Sequence, residues 1–490
     1  MKIFIDGHDF HYEMQALAML FSQGRRVQVV REAPAALPEE ALYTGLRAEG
    51  DGWRLLVRAR LGGGYAQREE TVPAGSPDAE RRMGRLCYQA LSELTGLRPA
   101  WGILTGVRPV KLVRAALEKG ADRAEAERYF LEECLVSEEK LRLCCETAEV
   151  QRPLLARSRP EDVSLYISIP FCPSRCRYCS FVSHSIGQAG KLVEPYLQLL
   201  GEELRALGEK ARRYGLRLTA VYFGGGTPTT LEAGQLDTLL ETVAESFDLS
   251  AVQEYTVEAG RPDTITAEKL QALRRRGVDR ISVNPQSLQD AVLEKAGRRH
   301  TAAQAVESYR LARTFGFQTI NMDLIAGLEG DTPLLFADTL RQVIALRPEN
   351  VTVHTLSVKR AANLSEDPAA VLARRGAEEM VSLARGLLTE AGYRPYYLYR
   401  QKNMLQNLEN TGYSLPGHES AYNIRIMDES QTILAAGAGG VTKLVGGGEI
   451  QRIFNYKYPY EYISRFHQLR ERQQGMDDFY KKFPIPGVVG

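Results

Sequence analysis

No run in the 490 residues approaches the roughly 18 consecutive apolar positions a membrane-spanning helix requires, so no span is expected. Met1 to Phe10 breaks its short apolar stretches with Asp6, His8 and Asp9. It shows neither the apolar core nor the small-residue cleavage site of a secretory leader, so none is expected there. Charge of one sign is also missing: Lys plus Arg number 62 and Asp plus Glu 61, for a net charge of +1. A nucleic-acid or anionic-membrane partner would usually leave a basic surplus or stripe, and neither is expected here. A local basic pocket for an acidic small molecule remains compatible with that sum. The seven cysteines are odd in number and unlike a disulfide framework, which points to a reducing cytoplasm.

What is present is an ordinary soluble composition, 44% hydrophobic and 25% charged, of a length that predicts roughly three domains. Residues 1–155 read as an α+β unit. Met1 to Ile5 alternates like a strand, Tyr12 to Ser22 has helical spacing, and Trp53 to Leu61 alternates again with Leu55, Val57 and Ala59 on one face. Gly62-Gly63-Gly64 predicts a turn. Helices are expected over Asp78 to Gly96 and Ala121 to Ala148, with Pro153 and Pro160 marking a linker.

From Ser164 the rhythm becomes strand, turn, helix. Strands are expected at Ser164–Ile169, Ala220–Phe223, Glu254–Val257, Arg280–Val283, Thr319–Leu324 and Val351–Thr355. Amphipathic stretches at Leu192–Tyr214, Leu231–Phe247, Ala267–Arg276, Thr301–Phe315, Thr332–Leu346 and Ala369–Ala391 alternate with them. Repeated βα units predict parallel strands with right-handed crossovers. The fold class expected is α/β: an incomplete (β/α)6 barrel over 160–395, after the N-terminal α+β domain and before a Tyr- and Gly-rich C-terminal extension, 396–490.

Three cysteines stand apart from the rest. Cys172, Cys176 and Cys179, spaced C-x3-C-x2-C, follow the first barrel strand directly, at the rim where parallel barrels place their chemistry. Three thiolates on a short loop can hold three irons of a cubane and leave the fourth iron open to an outside molecule. Structural zinc would require a fourth Cys or His at matching spacing, and none lies nearby. Simple buried cysteines would be unusual at this density.

Later strand ends carry residues suited to a small polar ligand. Gly224-Gly225-Gly226-Thr227-Pro228 follows the second strand, where glycines let the backbone approach a ligand closely. Glu258 ends the third strand, Gln286 follows the fourth, Arg298 comes after it, and Asp323 lies in the fifth. Each alone reads most simply as a solvated or capping residue. Together they supply carboxylates, a guanidinium and hydroxyl acceptors, a set suited to S-adenosylmethionine.

The run Tyr166-Ile167-Ser168-Ile169-Pro170-Phe171-Cys172 with its cysteine loop resembles the radical S-adenosylmethionine superfamily. More narrowly, the chain resembles the oxygen-independent coproporphyrinogen III oxidase group. The blocks Tyr222 to Thr229, Arg280 to Ser287 and Asn321 to Leu328 carry that likeness over about 160–440. The long N-terminal unit and Tyr399-Arg400-Gln401-Lys402-Asn403-Met404, Gly417-His418-Glu419 and Tyr422-Asn423-Ile424 resemble its longer branch, coproporphyrinogen dehydrogenase.

The resemblance implies that Cys172, Cys176 and Cys179 ligate a [4Fe-4S] cluster. It implies that Tyr166, Gly225, Gly226, Thr227, Glu258, Gln286, Arg298 and Asp323 bind S-adenosylmethionine, with Tyr178 and Ile325 near the adenine. It also implies a 5′-deoxyadenosyl radical that abstracts hydrogen from a propionate of coproporphyrinogen III, loss of CO2 and of one further electron to leave a vinyl group, two such events giving protoporphyrinogen IX, and an electron donor such as flavodoxin or ferredoxin. Two positions depart from the oxidase pattern: Phe181 stands where a fourth cysteine is usual, and Ser168 where histidine is. The Phe form resembles the related haem chaperones, in which His354, His418 or a cysteine could serve as axial ligand. A third reading is another radical reaction on a tetrapyrrole. Leu104 to Pro109 and Asn455 to Tyr458 name no ligand; the latter is expected as a lid or as core.

Overall fold

The structure, a computed structural model, describes residues 1–22, 26–118, 122–179, 183–357, 368–401 and 407–486. Phe181 and Lys402 to Met404 lie outside the described residues. The chain divides into two units, Met1–Ala148 with Tyr399–Glu409, and Glu149–Leu398 with Asn410–Gly490.

The first unit is built on a sheet of β1 (Lys2–Asp6), β2 (Gln28–Val30), β3 (Ala41–Glu49), β4 (Gly52–Leu61) and β5 (Gly64–Pro73), in the order β2-β1-β3-β4-β5. β1 runs parallel to β2 and β3, while β3, β4 and β5 form an antiparallel meander. Gly62 and Gly63, at φ +59° and +78°, make the tight β4–β5 turn, a conformation that suits residues without a Cβ. Helices His11–Phe21 and Ala79–Thr95 bury Met14, Leu17, Met83, Cys87 and Leu91 against Ile3, Leu42, Leu55 and Val57.

The expected helix over Ala121 to Ala148 is broken. Arg123–Arg128 leads into a π turn at Tyr129–Glu133, Leu135 adopts φ +56°, and a new helix runs Glu138–Leu155 through Pro153. The break is stabilised from outside the segment: Ile103 N–H donates to Cys134 O and Ser137 N–H to Ala100 O. Nearby, Lys140 Nζ meets Glu409 Oε1 at 2.7 Å, and Trp101 Nε1 donates to Glu409 Oε2 at 2.8 Å. Arg400 donates to Leu104 O at 2.6 Å and covers the Trp101 ring, so Leu104 to Pro109 is tied to the segment after residue 398.

The second unit begins with β6 (Asp162–Ile169), then β7 (Phe171–Cys172), β8 (His184–Ser185), β9 (Arg217–Gly225), β10 (Glu254–Glu258), β11 (Arg280–Ser282), β12 (Thr319–Ala326) and β13 (Asn350–Thr355). It continues with β14 (Arg394–Tyr399), β15 (Asn410–Ser414), β16 (Thr432–Ala436), β17 (Val441–Gly446) and β18 (Glu449–Phe454). The sheet order is β14-β15-β13-β12-β11-β10-β9-β6-β16-β17-β18. The six strands expected from the alternation are therefore neighbours, in sequence order and all parallel. Their burial is nearly continuous, as parallel strands covered on both faces require.

Three of the intervening helices start at threonine side-chain caps. Thr266 Oγ1 accepts from Lys269 N–H, Thr301 and Gln304 form a reciprocal capping box, and Thr332 caps Pro333–Leu346. The Tyr- and Gly-rich region adds a strand that periodicity did not predict: β16 lies parallel beside β6, with Leu434 opposite Leu165. Glu203, buried on Val193–Arg213, holds the turn after β16 by accepting from Gly437 N–H, Asn455 and Tyr462.

Candidate active site

The cysteine loop leaves the C-terminal end of β6 and is tied down from two sides. Gly226 N–H donates to Ile169 O and Thr227 N–H to Phe171 O, both at 2.8 Å, so the glycine run after β9 is bonded to the start of the loop. Arg177 N–H donates to Ala296 O at 3.1 Å on the other side. Cys172 Sγ and Thr227 Oγ1 lie 3.4 Å apart. Burial pushes the Cys172 thiol up, and the Thr227 hydrogen bond opposes that shift. Cys172 and Cys176 are buried and Cys179 half-buried; Cys87, Cys134, Cys144 and Cys145 all lie in the other unit.

The glycine run cannot carry side chains as it stands. Gly225 has φ +104°, and a Cβ on Gly226 would meet Phe171 O at 2.6 Å and Ile169 O at 2.9 Å. Beside it, a Cβ on Gly224 would face Glu258 Oε1 at 3.2 Å and the Tyr166 ring at 3.2 Å. Tyr222 donates to Glu258 Oε1 at 2.6 Å. Burial raises the Glu258 carboxyl to about 7, with the Asp323 charge adding to the rise and the Tyr222 hydrogen bond opposing it. Rings of Tyr166, Tyr222 and Tyr422 lie nearly parallel, with Tyr222 and Tyr422 centroids 4.4 Å apart.

On β12, burial would raise Asp323, but His354 Nε2, 3.5 Å away, and Asn321 outweigh it and hold the carboxyl below its usual range. Gln286 adopts the left-handed φ of +67° while its backbone bridges to β12, accepting from Ile325 N–H and donating to Asp323 O. A non-glycine residue held in that region is strained, and such strain concentrates at ligand sites. Its Oε1 is buried without a hydrogen-bond partner. Arg298 Nε donates to Tyr178 OH at 2.9 Å. Tyr178 in turn packs with Val292, Ala296, Ile325 and Leu328 in one apolar cluster.

The structure thus joins the residues singled out from sequence into one connected rim: Cys172 with Thr227, Tyr166 and Glu258 about Gly224, Glu258 with Asp323, Asp323 with Gln286, and Arg298 with Tyr178 and Ile325. Sequence reasoning missed Tyr222, which sits in a quoted motif, and Arg261, an arginine just beyond the third barrel strand. His418 is engaged elsewhere, with Nδ1 3.0 Å from Thr319 Oγ1. Tyr458 and Tyr460 set ring edges against His184 of β8, which pairs with the cysteine-bearing β7.

Residues 166–343 match the Radical SAM superfamily. Proteins of that superfamily use a [4Fe-4S] cluster and S-adenosylmethionine, and the rim fits both groups. Among the described residues no three His, Cys, Asp or Glu side chains converge as ligands of a single ion would, whereas thiolates that each take a different iron of a cubane need no such convergence. Gln286 Oε1, buried and unpartnered, lacks the donor that a bound ligand can supply.

The chain is 44% identical to the oxygen-independent coproporphyrinogen-III oxidase-like protein HemZ of Bacillus subtilis, over 98% of this chain and 99% of that protein. It is 31% identical to the haem chaperone HemW of Lactococcus lactis, over 56% of this chain and 69% of that one. The solved structure of coproporphyrinogen III oxidase HemN from Escherichia coli shares the fold, with a TM-score of 0.50 at 24% identity, over 66% of this chain and 72% of that one. The chain belongs to the radical S-adenosylmethionine superfamily and, within it, to the oxygen-independent coproporphyrinogen-III oxidase-like family.

Proposed function

We propose that the chain catalyses the oxygen-independent oxidative decarboxylation of coproporphyrinogen III to protoporphyrinogen IX. The observation that carries this reading is the near full-length likeness to a coproporphyrinogen-III oxidase-like protein. Cys172, Cys176 and Cys179 would hold the cluster. Tyr166, Gly225, Gly226, Thr227, Glu258, Gln286, Arg298 and Asp323 would hold S-adenosylmethionine, with Tyr178 and Ile325 against its adenine. Together the two groups supply a one-electron route to an organic radical able to take a hydrogen atom from a propionate side chain.

The chain's own residues bind and orient. Glu258, with Tyr222 bonded to one oxygen, keeps the other free to accept from a ligand donor. Arg298, fixed through Tyr178, offers a guanidinium to a carboxylate. The Tyr178, Ile325 and Leu328 cluster keeps water from one wall of the site. Residues 160–395 would carry the chemistry. Residues 396–490 would cover the substrate, a role supported by Tyr458 and Tyr460 beside β8. Residues 1–155 would serve docking. The electron would come from a flavodoxin or ferredoxin, in a reducing cytoplasm, a setting supported by an odd cysteine count spread unlike a disulfide framework. Among the described residues no helix is long and apolar enough to cross a membrane.

Anaerobic incubation of the cluster-loaded protein with S-adenosylmethionine, reductant and coproporphyrinogen III tests the reading: 5′-deoxyadenosine, CO2 and protoporphyrinogen IX are expected. Deoxyadenosine without CO2 would sink the decarboxylase and favour another radical reaction on a tetrapyrrole. A second reading, haem delivery, is favoured by the HemW likeness and by Phe181. It predicts stoichiometric haem capture with a Soret band, and its absence on titration counts against that reading.

A further inference from the structure

Arg261 follows β10 and reaches the cysteine loop. It is only 3% exposed, and every nitrogen of its guanidinium is engaged. Nε and Nη2 form a bidentate pair with Asp263, both bonds at 2.8 Å. Nη1 donates to Ser174 O at 3.2 Å and Nη2 to Ser174 Oγ at 3.1 Å, bracing the loop between Cys172 and Cys176. Nη1 also lies 3.6 Å from Cys176 Sγ. On the same turn, Gly260 O accepts from Arg298 Nη1 at 3.3 Å, so the backbone just before Arg261 is held by a residue of the candidate ligand site.

A buried guanidinium spanning a carboxylate, a loop backbone and a thiol exceeds what bracing a loop requires. The Asp263 carboxylate would hold the side chain alone, as a planar fork matched by a carboxylate does. The N–H aimed at sulfur is the surplus. Hydrogen bonds to cluster sulfurs, together with local charge and burial, set the reduction potential of an iron–sulfur centre.

We infer that Arg261 is a positioning residue for the cluster, holding the Cys176 sulfur by a hydrogen bond and raising the cluster's reduction potential. The inference rests on the proposed role of the three cysteines. Taking up one electron adds one negative charge to the centre. An N–H and a guanidinium at the Cys176 sulfur stabilise that reduced form more than the oxidised one. Removing Arg261 therefore moves the midpoint to more negative values, and the Asp263 carboxylate left behind pushes in the same direction.

The test is an anaerobic redox titration of the full-length, cluster-loaded protein, read by electron paramagnetic resonance, with iron content measured alongside. Arg261→Met removes charge and hydrogen bond; Arg261→Gln removes the charge but keeps an amide at the Nε position, which faces Asp263. The midpoint is read in whichever variant holds full iron. A fall of at least tenfold in the reduced-to-oxidised ratio at fixed potential is expected for Arg261→Met, about 59 mV for a one-electron couple, and a smaller shift of the same sign for Arg261→Gln. Full iron with an unchanged midpoint overturns the inference, because a merely structural strut would leave the potential alone. A wild-type chain that binds no iron would instead remove the cluster reading, and this inference with it.

Discussion

Glu258 offers the sharpest test of how the rim binds its ligand. Burial lifts its carboxyl to about 7, and Asp323 nearby stays ionised because His354 and Asn321 hold it low. Only the ionised Glu258 can accept two strong hydrogen bonds, one from Tyr222 and one from the ligand. Because its pKa is raised, a proton must leave before the ligand binds well, and affinity falls as pH drops through 7. With a pKa of about 7, the ionised fraction grows from about a tenth at pH 6 to about three quarters at pH 7.5, so S-adenosylmethionine should bind about eightfold more tightly at the higher pH. The ligand's own ammonium, with an ordinary α-amino pKa of about 7.7–8.0, loses about a quarter to two fifths of its charge over the same window, which trims the expected gain to about five- to sixfold. Glu258→Gln should flatten the profile and weaken binding at pH 7.5 by about 1.5–3 kcal/mol, roughly 10- to 150-fold, the worth of a hydrogen bond to a charged group. Equilibrium dialysis with labelled S-adenosylmethionine at constant ionic strength reads both numbers. A flat wild-type profile, or a slope that survives in Glu258→Gln, would mean that Glu258 does not hold the ligand as a carboxylate.

Other expectations address the cluster, the glycine cradle and the first unit. Cys176→Ala should abolish the iron–sulfur absorbance near roughly 400 nm after reconstitution, and a variant that keeps it contradicts the ligand assignment. In Gly226→Ala the new methyl would lie 2.6 Å from Phe171 O, a backbone atom that cannot swing aside. We expect about 1–3 kcal/mol of destabilisation and loss of S-adenosylmethionine binding, measured by thermal melting and dialysis; a variant matching wild type in both contradicts the close approach. In the first unit, the side chains of Lys140 and Glu409 are 1% and 0% exposed and 2.7 Å apart. Lys140→Met should cost about 3 kcal/mol in urea unfolding, the low end for breaking a buried pair because Trp101 still donates to the Glu409 carboxylate, and adding Glu409→Gln should recover part of that loss. A single-variant cost under about 1 kcal/mol would argue against a paired buried charge.

The barrel was legible because each βα unit writes its own signal: a short β-branched or aromatic run, a turn, and an amphipathic stretch, three of them opened by Thr266, Thr301 and Thr332 as caps. The cysteine spacing and the strand-end residues were legible for a related reason, since each sits at a fixed point of that local rhythm. What sequence hid depends on distant partners. β16 is only five residues long, and its place beside β6 is set by pairing across more than half the chain. The break at Leu135 follows from backbone groups of residues 100–103 that take up the hydrogen bonds a continuous helix would use. The helix expected to stop before Pro153 runs through it, and Pro153 costs one bond to a carbonyl of the preceding turn, after which the helix continues only to Leu155. Arg261 was hidden because a single arginine after a strand looks like any solvated residue until its contacts with Ser174 and Cys176 are seen.

The proposed reaction takes a hydrogen atom from a propionate side chain at this rim. Its most direct test uses coproporphyrinogen III deuterated in the propionate methylenes, incubated anaerobically with the cluster-loaded protein, reductant and S-adenosylmethionine. Mass spectrometry of the nucleoside product should show one deuterium in 5′-deoxyadenosine, formed in step with CO2. Deoxyadenosine that carries no deuterium while CO2 is absent would contradict that reaction.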